Sequence, residues 1–114
     1  MSELTVLLAD DEQSLADLFT TYLDEHYATK VAYSGEEALE KLDSTVDIML
    51  LDRRMPGYSG DEVLAYARQE GFDCPAIFVS AVNKDVDAKV AADDYIEKPI
   101  ARDELIEAIE RNLH

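Results

Sequence analysis

Residues 46–60 read Val-Asp-Ile-Met-Leu-Leu-Asp-Arg-Arg-Met-Pro-Gly-Tyr-Ser-Gly. Residues 46–51 form an almost continuous apolar run, which is typical of a parallel β-strand that is covered on both faces. Similar runs occupy residues 4–9 and 76–79. The three runs predict the central strands of a parallel sheet, and shorter runs at residues 28–32 and 95–96 predict two more strands.

Segments of helical period lie between these runs. Two of them place large apolar residues at the spacing of one buried helix face: Leu15, Leu18, Phe19, Tyr22 and Leu23 in the first, and Leu105, Ile106, Ile109 and Leu113 in the last. Capping-box patterns at residues 34–37 and 59–62 predict the starts of two further helices. A weaker pattern predicts a short helix between Lys84 and Ala92, where Val86 and Val90 are the only large apolar residues at helical spacing.

Strands and helices thus alternate five times along the chain. This alternation predicts a doubly wound α/β fold of the flavodoxin-like type, with right-handed crossovers and a five-stranded parallel sheet of order 2-1-3-4-5. The length of 114 residues fits a single domain over residues 1–114. In this order the first and third strands are neighbours, so the residues that follow them meet at the crevice where such folds bind ligands.

The composition is strongly acidic. The chain has 26 acidic and 10 basic residues, and its formal net charge is -16. The acidic residues are spread along the sequence and 47% of the residues are apolar, which favours a folded domain with a carboxylate-rich surface over a disordered acidic chain. Such a surface suits a halophilic protein, although ordinary acidity is the alternative. A charge of this sign disfavours direct contact with nucleic acid or with an anionic membrane.

The single cysteine and the N-terminal residues indicate where in the cell the protein is located. Cys74 is the only cysteine, so the chain has no disulfide framework and no cysteine-based zinc site. Residues 1–10 lack the basic and apolar pattern of a secretion signal, and no apolar stretch is long enough to cross a bilayer. These features predict a cytoplasmic protein.

The residues that follow the predicted strands carry the candidate chemistry. Asp10 and Asp11 follow the first strand, Asp52 ends the third, and Ser80 and Lys98 end the fourth and fifth. Carboxylates that are held together repel each other unless a cation joins them, and an all-oxygen ligand set selects a hard ion such as Mg²⁺. Mg²⁺ also neutralises an incoming phosphoryl group, so such a site suits phosphoryl transfer. Asp52, which ends the central third strand with an open loop after it, is the candidate nucleophile, with Lys98 and Ser80 as stabilising groups.

Simpler interpretations of the same residues stay open. In a chain with 26 acidic residues, carboxylates at strand ends can be a solvated cap of the sheet. Ser80 can be an ordinary hydroxyl at a strand end. Lys98 argues for the site, because the chain has few lysines and this one falls at the end of the last strand.

The chain resembles the receiver domain of two-component response regulators over its whole length. The resemblance rests on four stretches in this order and spacing: Val6 to Glu12, Leu50 to Gly60, Ser80-Ala81, and Asp93 to Pro99. It implies that a histidine kinase transfers a phosphoryl group to Asp52. It also implies that Asp10, Asp11, Asp52 and the backbone carbonyl of Arg54 bind Mg²⁺.

The same resemblance implies a conformational switch. Lys98 would contact the phosphoryl group and precede a cis peptide bond to Pro99. The Ser80 hydroxyl would move toward the phosphoryl oxygens and Tyr95 would rotate into the space vacated, which changes an output surface on the last two helices and the fifth strand. From the residues alone, Tyr95 can equally be a packed aromatic on an edge strand.

The chain departs from the family pattern between Ser80 and Lys98. Lys98 follows Ser80 by 18 positions, about one helical turn fewer than the family pattern implies, so the helix between them should be shortened. This shortening, the run over residues 52–64 and the acidic excess resemble haloarchaeal receivers that precede a C-terminal HalX-type domain. A C-terminal effector domain or a downstream protein is therefore an expected partner, with the receiver either monomeric or dimeric upon phosphorylation.

Two arginines follow the candidate nucleophile. Arg53 and Arg54 could pair with Glu12, shield the phosphoryl group from water, or lie exposed at the surface.

Two rival functions belong to other classes. A metal-dependent phosphohydrolase would need an Asp-x-Asp pair after the first strand, where this chain has Asp10-x-Glu12, and a cap domain that excludes water. A receiver-like interaction module that is never phosphorylated would not need to retain both Lys98 and the carboxylates. The resemblance predicts a regulatory phosphoacceptor and not an enzyme that turns over external substrates.

Overall fold

The computed structural model describes residues 3–80 and 92–113. In chain order its elements are β1 (Thr5–Ala9), α1 (Gln13–Leu23), β2 (Ala28–Ala32), α2 (Gly35–Lys41), β3 (Ile48–Asp52), α3 (Gly60–Gln69), β4 (Ala76–Ser80), β5 (Asp94–Glu97) and α4 (Arg102–Asn112). These elements confirm the five predicted strands and four of the predicted helices. The short helix predicted between Lys84 and Ala92 lies outside the described residues, apart from Ala92 at its end. Within the described part of the chain, no helix has the length and apolarity to cross a bilayer.

The five strands form one parallel sheet in the order β2-β1-β3-β4-β5, as predicted. β1 and β3 are neighbours at its centre, with Ala9 paired to Leu51. Because Asp10 follows β1 directly and Asp52 ends β3, this register brings the two aspartates to the same end of the sheet. Ser80 lies at the corresponding end of β4.

Helices cover both faces of the sheet, as expected for strands that are apolar on both sides. One core packs α1 and α4 against side chains such as Leu8 and Leu50, and the other packs α2 and α3 against Leu7 and Leu51. Successive residues of a strand point to opposite faces, so β3 contributes to both cores, and all of its residues are buried. β3 ends at Asp52, so its pairing with β1 and β4 positions this carboxylate at the carboxyl end of the sheet.

Two reciprocal hydrogen bonds define the start of α3. The Ser59 hydroxyl accepts from the Glu62 amide at 3.1 Å, and the Glu62 carboxylate accepts from the Ser59 amide at 2.9 Å, which confirms the predicted capping box. Gly60 lies directly against the end of β3, because a Cβ atom at Gly60 would be 2.4 Å from the Asp52 carbonyl oxygen. The start of α3 and the end of β3 are therefore in close contact.

Two lysines lie near β2, Lys30 within the strand and Lys41 at the end of α2. The Lys30 ammonium is 2.8 Å from Asp43 Oδ2, and the Lys41 ammonium donates to the carbonyl oxygen of Val31. Lys41 therefore pairs with a backbone acceptor of β2.

Candidate functional site

Three aspartates lie together at the carboxyl end of the sheet. Asp10 and Asp11 follow β1, and Asp52 is the last residue of β3. One carboxylate oxygen of each aspartate lies within 4.8 Å of the other two. Asp10 and Asp52 are buried, whereas Asp11 is exposed. The structure thus brings the three predicted ligands to one point, with Asp11 on the solvent side.

Lys98 lies beside these aspartates. Its ammonium donates to Asp10 Oδ2 at 2.9 Å and lies 3.5 Å from Asp52 Oδ2. The Lys98 amide donates to the Ser80 carbonyl at 2.9 Å, which fixes the segment after β5 next to the end of β4. The peptide bond between Lys98 and Pro99 is cis, as the resemblance implies.

Backbone amides orient the two buried carboxylates. The Glu12 amide donates to Asp10 Oδ1 at 2.9 Å, and the Arg54 amide donates to Asp52 Oδ1 at 3.3 Å. The other oxygen of each carboxylate is the one close to Lys98. Each buried carboxylate is therefore held by one amide and one ammonium.

The three aspartates and Lys98 together carry an excess of negative charge. Burial and the neighbouring charge of Asp10 raise the pKa of Asp52 to about 6, although Lys98 and the Arg54 amide act in the opposite direction. Burial acts to lower the pKa of Lys98, but the hydrogen bond and the charge of Asp10, with the charge of Asp52, raise it overall. Three carboxylates beside one ammonium leave an excess of negative charge that a divalent cation would remove.

The raised pKa predicts a pH-dependent stability in the metal-free protein. The Asp52 carboxyl titrates near pH 6 in the folded protein and near its usual 3.8 in the unfolded chain, so the folded state binds the proton more tightly. The stabilisation from this proton is complete below about pH 4 and is lost as the pH rises through about 6. Asp52→Asn should therefore raise the free energy of unfolding at pH 7 by roughly 1–3 kcal/mol, and the gain should vanish near pH 4.

Chemical denaturation in EDTA at constant ionic strength measures this difference. Asp103→Asn, which removes a highly exposed carboxylate in the first turn of α4, is the control and should change the stability little at either pH. An equal gain for Asp52→Asn at pH 4 and pH 7 would show that ionisation is not its cause.

The ligand atoms of the aspartate group suit a hard divalent cation. Carboxylate oxygens are preferred ligands of Mg²⁺ and Ca²⁺, whereas structural zinc sites use cysteine and histidine. All members of the group are aspartates. The residues present therefore fit a Mg²⁺ ion in both chemistry and charge.

The two predicted switch residues occupy different environments. Ser80 is the last residue of β4 and is buried at the same end of the sheet as the aspartates. Tyr95 lies within β5, and 45% of its surface is exposed. Its ring contacts the ring of Phe78, with the centroids 5.6 Å apart and the planes at 64°. The structure thus places Ser80 near the aspartates and the Tyr95 ring on Phe78 in the middle of β4.

Arg53 differs from the expectations drawn from the sequence. Only 7% of its surface is exposed, and its Nε and Nη2 atoms donate to the two carboxylate oxygens of Asp61 at 3.0 and 2.9 Å. The guanidinium carbon lies 5.0 Å from the centroid of the Phe78 ring. Arg53 therefore pairs with Asp61, whereas the sequence suggested Glu12. The alternative that Arg53 lies exposed at the surface is wrong, but Arg54 is exposed.

Comparison with known proteins identifies the family. Residues 6–110 match the family model of the response regulator receiver domain. A Haloferax volcanii protein provisionally named a transcriptional regulator is 45% identical over 114 residues, which cover 98% of this chain and 20% of that protein. The response regulator SaeR of Staphylococcus aureus is 35% identical over 106 residues, which cover 89% of this chain and 46% of that protein. The chain therefore spans less than half the length of these relatives.

Solved structures show the same fold. A receiver domain protein from Methanospirillum hungatei superposes with a TM-score of 0.89 at 27% identity, covering 98% of this chain and 94% of that one. The response regulator TrrA of Thermotoga maritima, solved in complex with Mg²⁺ and BeF, superposes with a TM-score of 0.86 at 34% identity, covering 96% and 99% of the two chains. The chain belongs to the response regulator receiver domain family.

Proposed function

We propose that this domain is a phosphoacceptor that receives a phosphoryl group on Asp52 from a histidine kinase in the presence of Mg²⁺. The observation that carries the proposal is the position of Asp52 beside Asp10, Asp11 and Lys98 at the carboxyl end of the central strands. The three aspartates bind the ion together with the backbone carbonyl of Arg54. The Mg²⁺ and BeF in the related TrrA structure support this choice of ion.

Each side chain has a separate task in this reaction. The ionised oxygen of Asp52 forms a bond to phosphorus while the bond to the kinase histidine nitrogen breaks, and the imidazole keeps the electron pair. With a pKa of about 6, Asp52 is mostly ionised at neutral pH. Bound Mg²⁺ supplies positive charge to the phosphoryl oxygens. Lys98, which pairs with Asp10, adds a second positive charge at the same place.

Ser80 and Tyr95 transmit the phosphorylated state. The Ser80 hydroxyl can donate to a phosphoryl oxygen from the end of the neighbouring strand. The ring of Tyr95 contacts Phe78, two residues before Ser80, so a movement at the end of β4 reaches an aromatic side chain at the surface. Phosphorylation then shifts the population between two surface conformations.

A groove beside Lys98 supports contact with the kinase. It has a volume of about 500 Å³ and opens between α1 and the segment that follows β5. Its lining is mainly apolar and includes Leu15, Leu18, Tyr22 and Ile100, and 44% of the Leu18 surface is exposed. A kinase that brings its phosphohistidine to Asp52 must contact the rim of this crevice, where the groove offers an apolar surface.

The proposal extends to the whole regulator. Residues 1–114 form one receiver domain, and a C-terminal effector domain or a downstream protein is its target, because the relatives are much longer. The acidic composition and the Haloferax relative support a halophilic protein. The proposal includes a cytoplasmic location, and the net charge of -16 supports a receiver that makes no direct contact with nucleic acid or membrane. The domain regulates and does not turn over external substrates, either as a monomer or as a phosphorylation-linked dimer.

Thermal unfolding tests the cation site. A ligand that binds the folded state raises the Tm, so Mg²⁺ should raise the Tm of this domain and BeF should raise it further. Asp11→Asn removes the exposed member of the aspartate group and should weaken Mg²⁺ binding by roughly tenfold, or about 1.4 kcal/mol. Glu12→Gln is the matched control, because Glu12 is the next residue and is also exposed but lies outside the group.

Each outcome discriminates between the functions considered. An equal Mg²⁺ response in Asp11→Asn and Glu12→Gln would contradict the assignment of the ligands. If Mg²⁺ left the Tm unchanged over a wide concentration range, an interaction module that is never phosphorylated would be favoured. Steady multiple turnover of a phosphomonoester would favour the phosphohydrolase.

A further inference from the structure

The segment that carries Arg54 connects the end of β3 to the start of α3. Arg53 begins this segment and Asp61 directly follows it, and their side chains are joined by two hydrogen bonds of 3.0 and 2.9 Å. The Arg53 carbonyl also accepts from the Gly60 amide at 3.0 Å. A side-chain pair and a backbone bond therefore close the segment, residues 53–60, into one loop.

The Arg53 side chain is fixed on a second side. Its guanidinium lies over the Phe78 ring of β4, at 5.0 Å from the ring centroid to the guanidinium carbon. A planar guanidinium that donates two hydrogen bonds to one carboxylate and also lies over a ring has little freedom of orientation. Through this contact, the loop over residues 53–60 is tied to the strand that ends at Ser80.

The charge of Arg53 is compensated locally. A buried arginine without a partner, next to a group of carboxylates, would compete with a cation for them. Arg53 instead pairs with Asp61, so the pair orders the loop without adding net charge to the crevice. The amide of the next residue, Arg54, contacts Asp52, so the ordered loop lies directly beside the aspartate group.

We propose that Arg53 is a positioning residue for the cation site: its pairing with Asp61 and its contact with Phe78 hold residues 53–60 in the conformation that presents the Arg54 backbone to the ion. This inference rests on the proposed function, because it concerns a ligand of the ion that the function requires. Groups that orient metal ligands typically change metal affinity roughly 10- to 100-fold when they are removed.

The test measures Mg²⁺ affinity and amide hydrogen exchange in matched variants. Arg53→Met keeps the approximate length of the side chain over Phe78 but removes the two hydrogen bonds to Asp61, and Asp61→Asn removes the negative charge of Asp61. We expect each variant to bind Mg²⁺ roughly tenfold more weakly. In the metal-free protein, the Gly60 amide should exchange faster in both variants, because its acceptor is the Arg53 carbonyl.

Arg68→Met is the matched control. Arg68 lies in the last turn of the same helix α3 and pairs with Asp93, away from residues 53–60. Arg68→Met makes the same change in side chain and charge as Arg53→Met does. We expect no change in Mg²⁺ affinity or in the exchange of the Gly60 amide.

Two further variants separate positioning from a general loss of stability. If Arg53 and Asp61 act as one unit, the double variant Arg53→Met/Asp61→Asn should bind Mg²⁺ no more weakly than the single variant with the lower Mg²⁺ affinity does. Arg53→Lys keeps the charge without the fork of donors and should retain part of the affinity. If Arg53→Met does not fold, the Mg²⁺ affinity of Arg53→Lys is measured in its place.

The proposal is overturned if the folded Arg53 and Asp61 variants bind Mg²⁺ as tightly as Arg68→Met does. Losses that multiply in the double variant would also overturn it, as would a loss of affinity without faster exchange at Gly60. These results presuppose a wild-type protein that responds to Mg²⁺. A wild-type protein without that response would overturn the proposed function itself, and the role of Arg53 toward the ion with it.

Discussion

Replacement of Asp52 by asparagine should abolish phosphoryl incorporation. The wild-type domain, incubated with Mg²⁺ and a small phosphodonor such as acetyl phosphate, should gain one phosphoryl group, because the Asp52 carboxylate lies beside Asp10, Asp11 and Lys98. An amide oxygen of the same size is a far weaker nucleophile than a carboxylate, so Asp52→Asn should show background incorporation only. Intact-mass spectrometry measures the gain directly.

The control for this experiment is another aspartate. Asp103→Asn removes a carboxylate that is exposed at the start of α4, and it should be phosphorylated to the wild-type extent. Chelation of Mg²⁺ should stop incorporation in the wild type and in the control. Wild-type incorporation in Asp52→Asn would exclude Asp52 as the phosphoacceptor.

Replacement of Gly60 by alanine should destabilise the domain strongly. The new Cβ atom would lie 2.4 Å from the Asp52 carbonyl oxygen and 2.9 Å from the Arg53 Cα atom. Both are backbone atoms at the end of β3, so the strand end or the start of α3 must move. We expect a loss of about 2–3 kcal/mol and a fall in Tm of roughly 10 °C, although alanine favours helices intrinsically.

Gly57→Ala is the control for steric contact. Gly57 lies in the same loop with a φ of 76°, and a Cβ atom there would meet no atom within 4 Å. Its replacement should cost only the strain of a left-handed backbone, about 1 kcal/mol. Thermal unfolding compares the two variants, and an equal fall in Tm would show that the contact between Gly60 and β3 is not the cause.

Much of the fold could be predicted because burial leaves a clear trace in the sequence. Continuous apolar runs such as residues 46–51 mark strands that are covered on both faces, and the structure buries every residue of β3. Alternation of strands and helices then permits few topologies, because the crossovers have one hand. The pattern was weakest at residues 84–92, where two valines alone carry the helical period.

The grouping of the aspartates was predictable for a topological reason. A parallel sheet gathers the carboxyl ends of its strands at one side, so Asp10 and Asp52 had to meet once their strands were neighbours. Their individual burial was not predictable. Asp10 is buried under a lysine that lies 88 positions further along the chain, while the adjacent Asp11 is exposed. Sequence patterns of short range contain no information about such a contact.

The pairing of Arg53 with Asp61 was missed for a related reason. A charged residue after a buried strand is usually exposed, so no pattern near Arg53 indicated a buried partner. The signal that could have revealed it is Gly60, which follows the helix cap at Ser59. A glycine at this position allows α3 to approach the end of β3 closely, and the acidic residue in the first turn of the helix then comes within reach of Arg53.

The contact of Lys41 with β2 disfavours one way in which copies of this domain could associate. An uncovered edge strand offers its backbone groups to a strand of a second molecule, which is a common route to aggregation. The Val31 carbonyl, which such an intermolecular ladder would use, already accepts a hydrogen bond from Lys41. Growth of the sheet across β2 would have to break this hydrogen bond and is therefore disfavoured.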